Sequence, residues 1–376
     1  MYRSYNKLAL TQSKHMLRLQ PTSSTTTMSE TNNLPPFPSD IPTAPLLRLS
    51  LSKLQAHDIT ETHNLLQACK DIGFFYLDLR DSNEGTNLLN NADKLFPIGE
   101  RLFDLPLDEK KKYDLASQKS YYGYKAQGAM VADRQGNLDG NEFYNVSKDD
   151  ILNIAPSLPS PPILQESRPL LESFVRTSHD IVTLLLSILS DSLSLPTSTL
   201  PDLHRLTAPS GDQIRFIKAP PTATQNPTLG EHTDFGSVTI LFNRIGGLQV
   251  LPPGADAEWT YVRPLSGHAI INLGDAMVKF TNGLFRSNIH RVVAPPGQQA
   301  GCTRYSLVYF ARPEDEVPLR RLESDRIPAL GEGVVEEEIS SKDWVIRRAL
   351  GRRVDLGPVD YEKAAGTEGV SRRLRV

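Results

Sequence analysis

Between residues 212 and 310 the chain is cut into short runs of β-branched and aromatic residues, each closed within a few positions by Gly, Pro, Asn or Asp. Residues 212–218, 237–242, 248–251, 259–262, 269–275 and 304–310 read as strands, and the Asn282-Gly283 turn leads into one more that carries His290. So many short strands, separated by turns, predict a β-sandwich or jelly roll with its site in the mouth. Within that train, residues 230–237 read Gly-Glu-His-Thr-Asp-Phe-Gly-Ser. On an extended strand residues i and i+2 share a face, so His232 and Asp234 can point at one ion. His290 supplies a third donor. Two histidines and one carboxylate on one side of a metal suit Fe(II) and leave positions open for oxygen and an oxidisable partner. Alone, His-x-Asp is a short pattern that a turn residue beside a surface carboxylate also matches; the flanks decide between the two.

Those flanks run His232-x-Asp234, Asn272-Leu273-Gly274-Asp275, Asn282-Gly283 followed by Ser287 and His290-Arg291-Val292, then Arg304-x-Ser306. In this order they resemble the iron- and 2-oxoglutarate-dependent oxygenases, and within them the isopenicillin N synthase-like group. The resemblance implies an α+β protein with a double-stranded β-helix (jelly-roll) core flanked by helices from the N-terminal region. It implies Fe(II) on His232, Asp234 and His290, and the distal carboxylate of 2-oxoglutarate on Arg304 and Ser306. The chemistry of the last pair fits, because a guanidinium presents a planar fork to a carboxylate and a hydroxyl adds a donor. The implied reaction uses O2 to oxidise a small organic substrate by hydroxylation, desaturation or cyclisation, releasing succinate and CO2. Specialised-metabolite biosynthesis is the setting expected by analogy.

One segment departs from the family. Residues 215–221 read Arg-Phe-Ile-Lys-Ala-Pro-Pro, so Ile217 and Ala219 stand where Asn and a cosubstrate-binding Tyr are expected. A hydrogen bond to a charged group contributes ~1.5–3 kcal/mol, so its loss weakens cosubstrate binding roughly tenfold or more, unless Lys218 or a tyrosine from elsewhere takes over. Two rival readings follow. One is an oxidase that needs no cosubstrate because the substrate itself ligates iron. The other is a catalytically silent jelly roll that binds a small ligand.

The resemblance extends upstream. A strand at 45–51, a helix at 59–72 with Leu65, Leu66, Cys69 and Ile72 on one face, and the strand Gly73-Phe74-Phe75-Tyr76-Leu77 match the family's N-terminal region. A second helix is expected over 91–103. In the family the segments 121–124 and 139–144 lie over the site, which makes Tyr124, Phe143 and Tyr144 candidate substrate contacts, although such aromatic runs more often pack a core. Residues 151–165 read as a loop, 168–195 as a long helix behind the sheet, and 341–353 as a late helix capped by Ser340 or Ser341. The expected organisation is a disordered tail over 1–40, an N-terminal region over 41–165, the oxygenase core over 166–355 and a basic tail over 356–376. His268 opens a strand and carries no expected chemistry; His57, His63, His179 and His204 read as surface residues.

Composition narrows the function further. With 376 residues, 39% hydrophobic, and a net charge of −3, the chain has a globular core and no electrostatic footprint for nucleic acid or an acidic membrane. The longest apolar run, 181–195, is broken by Ser187, Ser190, Asp191 and Ser192 and is too short to span a bilayer. Two cysteines, Cys69 and Cys302, exclude a disulfide framework and read as buried structural thiols, as in a reducing compartment. The expected location is cytoplasmic. Residues before Glu30 are basic and Ser/Thr-rich, a composition transit peptides share, but an ordinary disordered tail is the simpler reading, with Met28 as an alternative start.

Overall fold

A computed structural model describes residues 34–222, 227–254 and 256–359, together with 361, 364 and 366. The N-terminal region contains β1 (Arg48–Ser50), α1 (Leu51–Gln55), α2 (Ile59–Asp71), β2 (Phe74–Asp78), α3 (Asn83–Phe103), α4 (Leu107–Lys111), β3 (Gly123–Lys125), β4 (Glu142–Ser147), α5 (Lys148–Ile151) and α6 (Pro162–Glu166). Two helices, α7 (Arg168–Ser192) and α8 (Thr199–Asp202), lead into the strands β5 (Gln213–Ala219), β6 (Leu229–His232), β7 (Val238–Asn243), β8 (Leu248–Val250), β9 (Thr260–Tyr261) and β10 (His268–Leu273). Then come α9 (Asp275–Phe280), β11 (His290–Val292), β12 (Arg304–Ala311) and α10 (Ser341–Leu350).

The strands form two sheets, an eight-stranded one in the order β1-β2-β10-β7-β12-β5-β4-β3 and a four-stranded one in the order β6-β11-β8-β9. Side chains alternate across a strand, so each strand of the large sheet serves two environments. Phe75, Leu77, Ile240, Leu307 and Tyr309 face the helices and join the main core, to which α7 contributes Leu171, Phe174, Val182, Leu185 and Leu189. Phe74, Tyr76 and Ile270 turn the other way and pack on Leu248, Val250 and Val292 of the small sheet. Helices, large sheet and small sheet therefore make three layers, and the space between the sheets is the mouth of a double-stranded β-helix. Side-chain caps start two of the helices. Asp58 accepts from the Glu61 N–H at 2.8 Å before α2, and Ser340 accepts from the Asp343 N–H at 3.1 Å before α10.

Several expectations shift. The second helix begins at Asn83, not 91, because the Ser82 hydroxyl caps it by accepting from Gly85 N–H at 3.2 Å and Leu88 is buried. The segment 151–165, expected to be a loop, holds the short α6, which Pro162 opens at a position where its missing N–H costs nothing. The last helix ends at Leu350, short of the expected 353. His179 and His204 are buried, not surface residues. Cys302 is only partly buried, unlike Cys69, and both thiols are free. Residues 34–40, assigned to the tail, lie on the core: the Phe37 ring meets Tyr261 edge-on at 6.2 Å, and Gln299 donates to the Pro35 carbonyl at 2.8 Å. Residues 1–33 and the terminal arginines Arg372, Arg373 and Arg375 lie outside the described residues.

Candidate metal centre and cosubstrate cavity

β6 and β11 are paired neighbours, with His290 directly across from His232. Gly230 lets that strand approach: a Cβ there would run into the Ala132 carbonyl. The two imidazoles lie with ring centroids 4.2 Å apart, and Phe74 meets His290 edge-on at 5.3 Å. Asp234 follows just after β6. One nitrogen or oxygen atom from each of His232, Asp234 and His290 lies within 4.8 Å of the others.

Hydrogen bonds fix the chemistry of each donor. His232 Nδ1 faces the Gly230 carbonyl at 2.8 Å and His290 Nδ1 faces the Asn288 carbonyl at 3.2 Å, so each Nδ1 donates to the backbone and each Nε2 is left to face the centre. The Nε2 atoms stand 3.9 Å and 3.8 Å from Asp234 Oδ1. Burial, reinforced by His290, holds His232 well below the usual imidazole range. Burial alone would raise the Asp234 carboxyl. The neighbouring imidazoles and the donors Asn272 and Thr239 outweigh that, and it stays below the ordinary carboxylate value. Three electron-pair donors therefore converge, an arrangement that a cation stabilises. The donor set fits Fe(II).

Asn272 and Thr239 were not singled out from the sequence as site residues. Asn272 Nδ2 and Thr239 Oγ1 donate to Asp234 Oδ2 at 2.6 Å and 2.7 Å, leaving Oδ1 for the centre. Asn272 sits inside the Asn-Leu-Gly-Asp motif, a signal that was legible; nothing in the sequence marks Thr239.

The triad closes one end of a cavity of about 490 Å³ between the sheets; Arg304 and Ser306 line it as well, with Ile217, Leu241, Leu248 and Val308 among its walls. Arg304 Nε donates to the Gly246 carbonyl at 2.8 Å and Nη1 to Ser306 Oγ at 2.5 Å. Burial pushes this guanidinium down to about 10, and among the described residues no carboxylate pairs with it. Among the described residues no tyrosine lines the cavity. Ala219 lies across from Arg304 in the β5–β12 register. Lys218 points to the opposite face, 3.7 Å from Asp104 and 3.9 Å from Glu142, and does not replace the missing hydroxyl.

A second cavity opens beyond His232, with Phe143, Arg215 and Phe235 on its wall. Tyr124 borders it, but its hydroxyl donates to Glu142 at 2.6 Å and its ring packs in the main core. Tyr144 is on the other side of β4, with its hydroxyl toward the Pro159 carbonyl at 3.4 Å and its ring in that same core. The alternation of the strand thus brings Phe143 to the mouth and takes Tyr144 away from it. The C-terminal segment also reaches this cavity. Arg348 is fully buried, bonds Asp275 at 2.7 Å and lies 3.4 Å from the Thr233 hydroxyl, a link that the sequence did not reveal.

Comparison with known proteins agrees with this architecture. Residues 211–313 match the 2OG-Fe(II) oxygenase superfamily, and residues 44–161 match the non-haem dioxygenase in morphine synthesis N-terminal family. The chain is 33% identical over 335 residues to a 2-oxoglutarate-dependent dioxygenase of Aspergillus fumigatus, covering 82% of this chain and 86% of the relative. It is 33% identical over 287 residues to the 2-oxoglutarate-dependent dioxygenase gloE of Glarea lozoyensis, covering 76% and 84%. In fold it is similar to a full-length Neurospora crassa protein crystallised in complex with alpha-KG, with a TM-score of 0.68 at 21% identity over 81% of this chain and 95% of that one. No helix among the described residues is long and apolar enough to cross a membrane. With the triad, the two-sheet core and both halves of the chain matched, the protein belongs to the 2OG-Fe(II) oxygenase superfamily, an iron- and 2-oxoglutarate-dependent dioxygenase.

Proposed function

We propose that His232, Asp234 and His290 hold Fe(II), that Arg304 and Ser306 hold the distal carboxylate of 2-oxoglutarate, and that the chain oxidises a small organic molecule in specialised metabolism. The observation that carries this reading is Arg304, a buried guanidinium without a carboxylate partner among the described residues, lining the same cavity as His232, Asp234 and His290. Burying an uncompensated charge costs several kcal/mol, and a dicarboxylate spanning the cavity would relieve it. When bound, iron and 2-oxoglutarate supply the oxidising power for O2-dependent chemistry. The chain's own part is positioning and dryness. Asn272 and Thr239 aim Asp234, the carbonyls of Gly230 and Asn288 orient the imidazoles, and Ile217, Leu241, Leu248 and Val308 keep water off the reacting groups.

The same orphaned guanidinium disfavours a cosubstrate-free oxidase, which would leave it uncompensated. Anaerobic titration with Fe(II) and 2-oxoglutarate tests the assignment through the weak visible charge-transfer band of the ternary complex. The band is expected in the native chain and absent in His232→Ala. A native chain that binds iron and forms no band with 2-oxoglutarate would sink it.

A further inference from the structure

The outer cavity has a charge balance that the metal centre does not explain. Among the described residues five cationic side chains line it, Lys125, Arg215, Arg348, Arg352 and Arg353, against one lining carboxylate, Asp139. Three of the five are satisfied locally. Lys125 bonds Asp139, Arg348 bonds Asp275 at 2.7 Å, and Arg353 bonds Asp114 at 2.6 Å and Asp355 at 2.9 Å.

Arg215 and Arg352 are different. Arg215 Nε donates to Asn145 Oδ1 at 2.7 Å, and its guanidinium lies between the rings of Phe143 and Phe310 at 4.2 Å and 5.0 Å. Among the described residues its two terminal nitrogens make no hydrogen bond and no carboxylate pairs with it. It lines both cavities, so it stands at their junction beside the triad. Asp234 is the acid that acts on it, and that carboxylate is already engaged by Asn272, Thr239 and the imidazoles. Arg352 donates from Nη2 to the Glu231 carbonyl at 2.8 Å and stacks over Tyr361 at 4.6 Å. Its Nε is fully enclosed and has no partner among the described residues, and the residue is only 6% exposed.

A guanidinium stacked on aromatic rings is held rigid, and its planar fork can take a carboxylate bidentately. Arg215, held by two rings, and Arg352, stacked on one, line the same cavity with no carboxylate paired to either among the described residues, and together they make an anion subsite. Tyr121, Tyr122 and Phe235 line the same cavity and give it aromatic surface. We propose that the substrate of this oxygenase is an organic acid whose carboxylate is gripped by Arg215 and Arg352 while an apolar or aromatic body lies against Tyr121, Tyr122 and Phe235. The inference rests on the reading of the metal centre and goes beyond it by naming the substrate class. Arg215 and Arg352 are binding residues that set specificity.

The test pairs acids with their uncharged isosteres. Phenylacetate, cinnamate and 1-naphthoate, each beside its primary amide, are titrated by calorimetry into the full chain loaded anaerobically with Fe(II) and 2-oxoglutarate. At least one acid is expected to bind roughly tenfold or more tightly than its amide. Arg215→Gln and Arg352→Gln should each cut that preference by about tenfold, and Arg215→Lys should restore part of it. The affinity for 2-oxoglutarate, followed by the charge-transfer band, should stay near the native value in all three. No preference for any acid in the native chain, which needs no variant to measure, overturns the proposal. So does an Arg215→Gln chain that loses 2-oxoglutarate and keeps the acid preference, since Arg215 would then serve the cosubstrate. The band reports on the metal centre and the acid-to-amide ratio on this subsite, so either can fail without the other.

Discussion

Asn272 donates from Nδ2 to Oδ2 of Asp234 at 2.6 Å, and this bond decides which carboxylate oxygen faces His232 and His290. Thr239 donates to the same oxygen from a neighbouring strand at 2.7 Å. Outer groups of this kind typically govern 10- to 100-fold in metal affinity or activity. Asn272→Ala, and to a lesser extent Thr239→Val, should therefore weaken Fe(II) binding by roughly 10- to 100-fold. Anaerobic competition against a coloured chelator measures it, and unchanged iron affinity in both variants would remove these residues from the account.

Arg304→Leu should raise the KM for 2-oxoglutarate by about 10- to 100-fold or more, because each charge-assisted hydrogen bond contributes ~1.5–3 kcal/mol. Iron affinity should hardly change. Succinate release at graded 2-oxoglutarate concentrations reads the first, and the chelator assay the second. Ser306→Ala should produce a smaller shift in the same direction.

The Arg348–Asp275 pair ties the last helix to the start of α9, just after β10. Both side chains are essentially inaccessible, at 1% and 0% exposed. Removing one partner of a buried pair leaves the other charge stranded, at a cost of about 3–5 kcal/mol. Asp275→Asn should lower the unfolding free energy by about that much in urea titration. The double replacement Asp275→Leu with Arg348→Met should be milder than either single change, since it leaves no buried charge behind.

His204 gives a pH prediction. Its Nδ1 faces the Leu200 carbonyl at 2.7 Å and its Nε2 faces the Ser237 hydroxyl at 2.7 Å, and burial depresses its basicity below the usual 6.5. A depressed imidazole means that the unfolded chain binds more protons as pH falls below about 6.5, so stability rises with pH through that window and is lost toward acid. His179, also lowered by burial, acts with the same sign. His204→Gln should flatten the fall in stability between about pH 6.5 and 5, measured by urea midpoints across that range. An unchanged slope would show that this imidazole does not contribute to the acid lability.

Much of the site was legible because its parts are local patterns. His232 and Asp234 share a strand face by spacing alone, and Arg304-x-Ser306 repeats that geometry at the cavity's other lining. The missing Asn and Tyr at Ile217 and Ala219 were equally readable. Their consequence was not, since only the register shows that Ala219 faces Arg304 and that Lys218 turns outward. The N-terminal start of α3 was missed because residues 83–90 are poor helix formers, and tertiary burial of Leu88 overrides propensity. His179 and His204 were misjudged because polarity suggests exposure, whereas each imidazole is buried against the core.

The sequence by itself determined the alternating strands, the donor types and their spacing, because side-chain period and ligand chemistry are properties of neighbouring residues. Tertiary structure alone decided which residues answer one another across long separations. Arg348 with Asp275, Asn272 with Asp234, Arg215 beside the triad, and Tyr144 turned away from the mouth all follow from how the sheets and the last helix pack. Register and layer packing sum many weak contacts over the whole chain, so no short stretch of sequence encodes them.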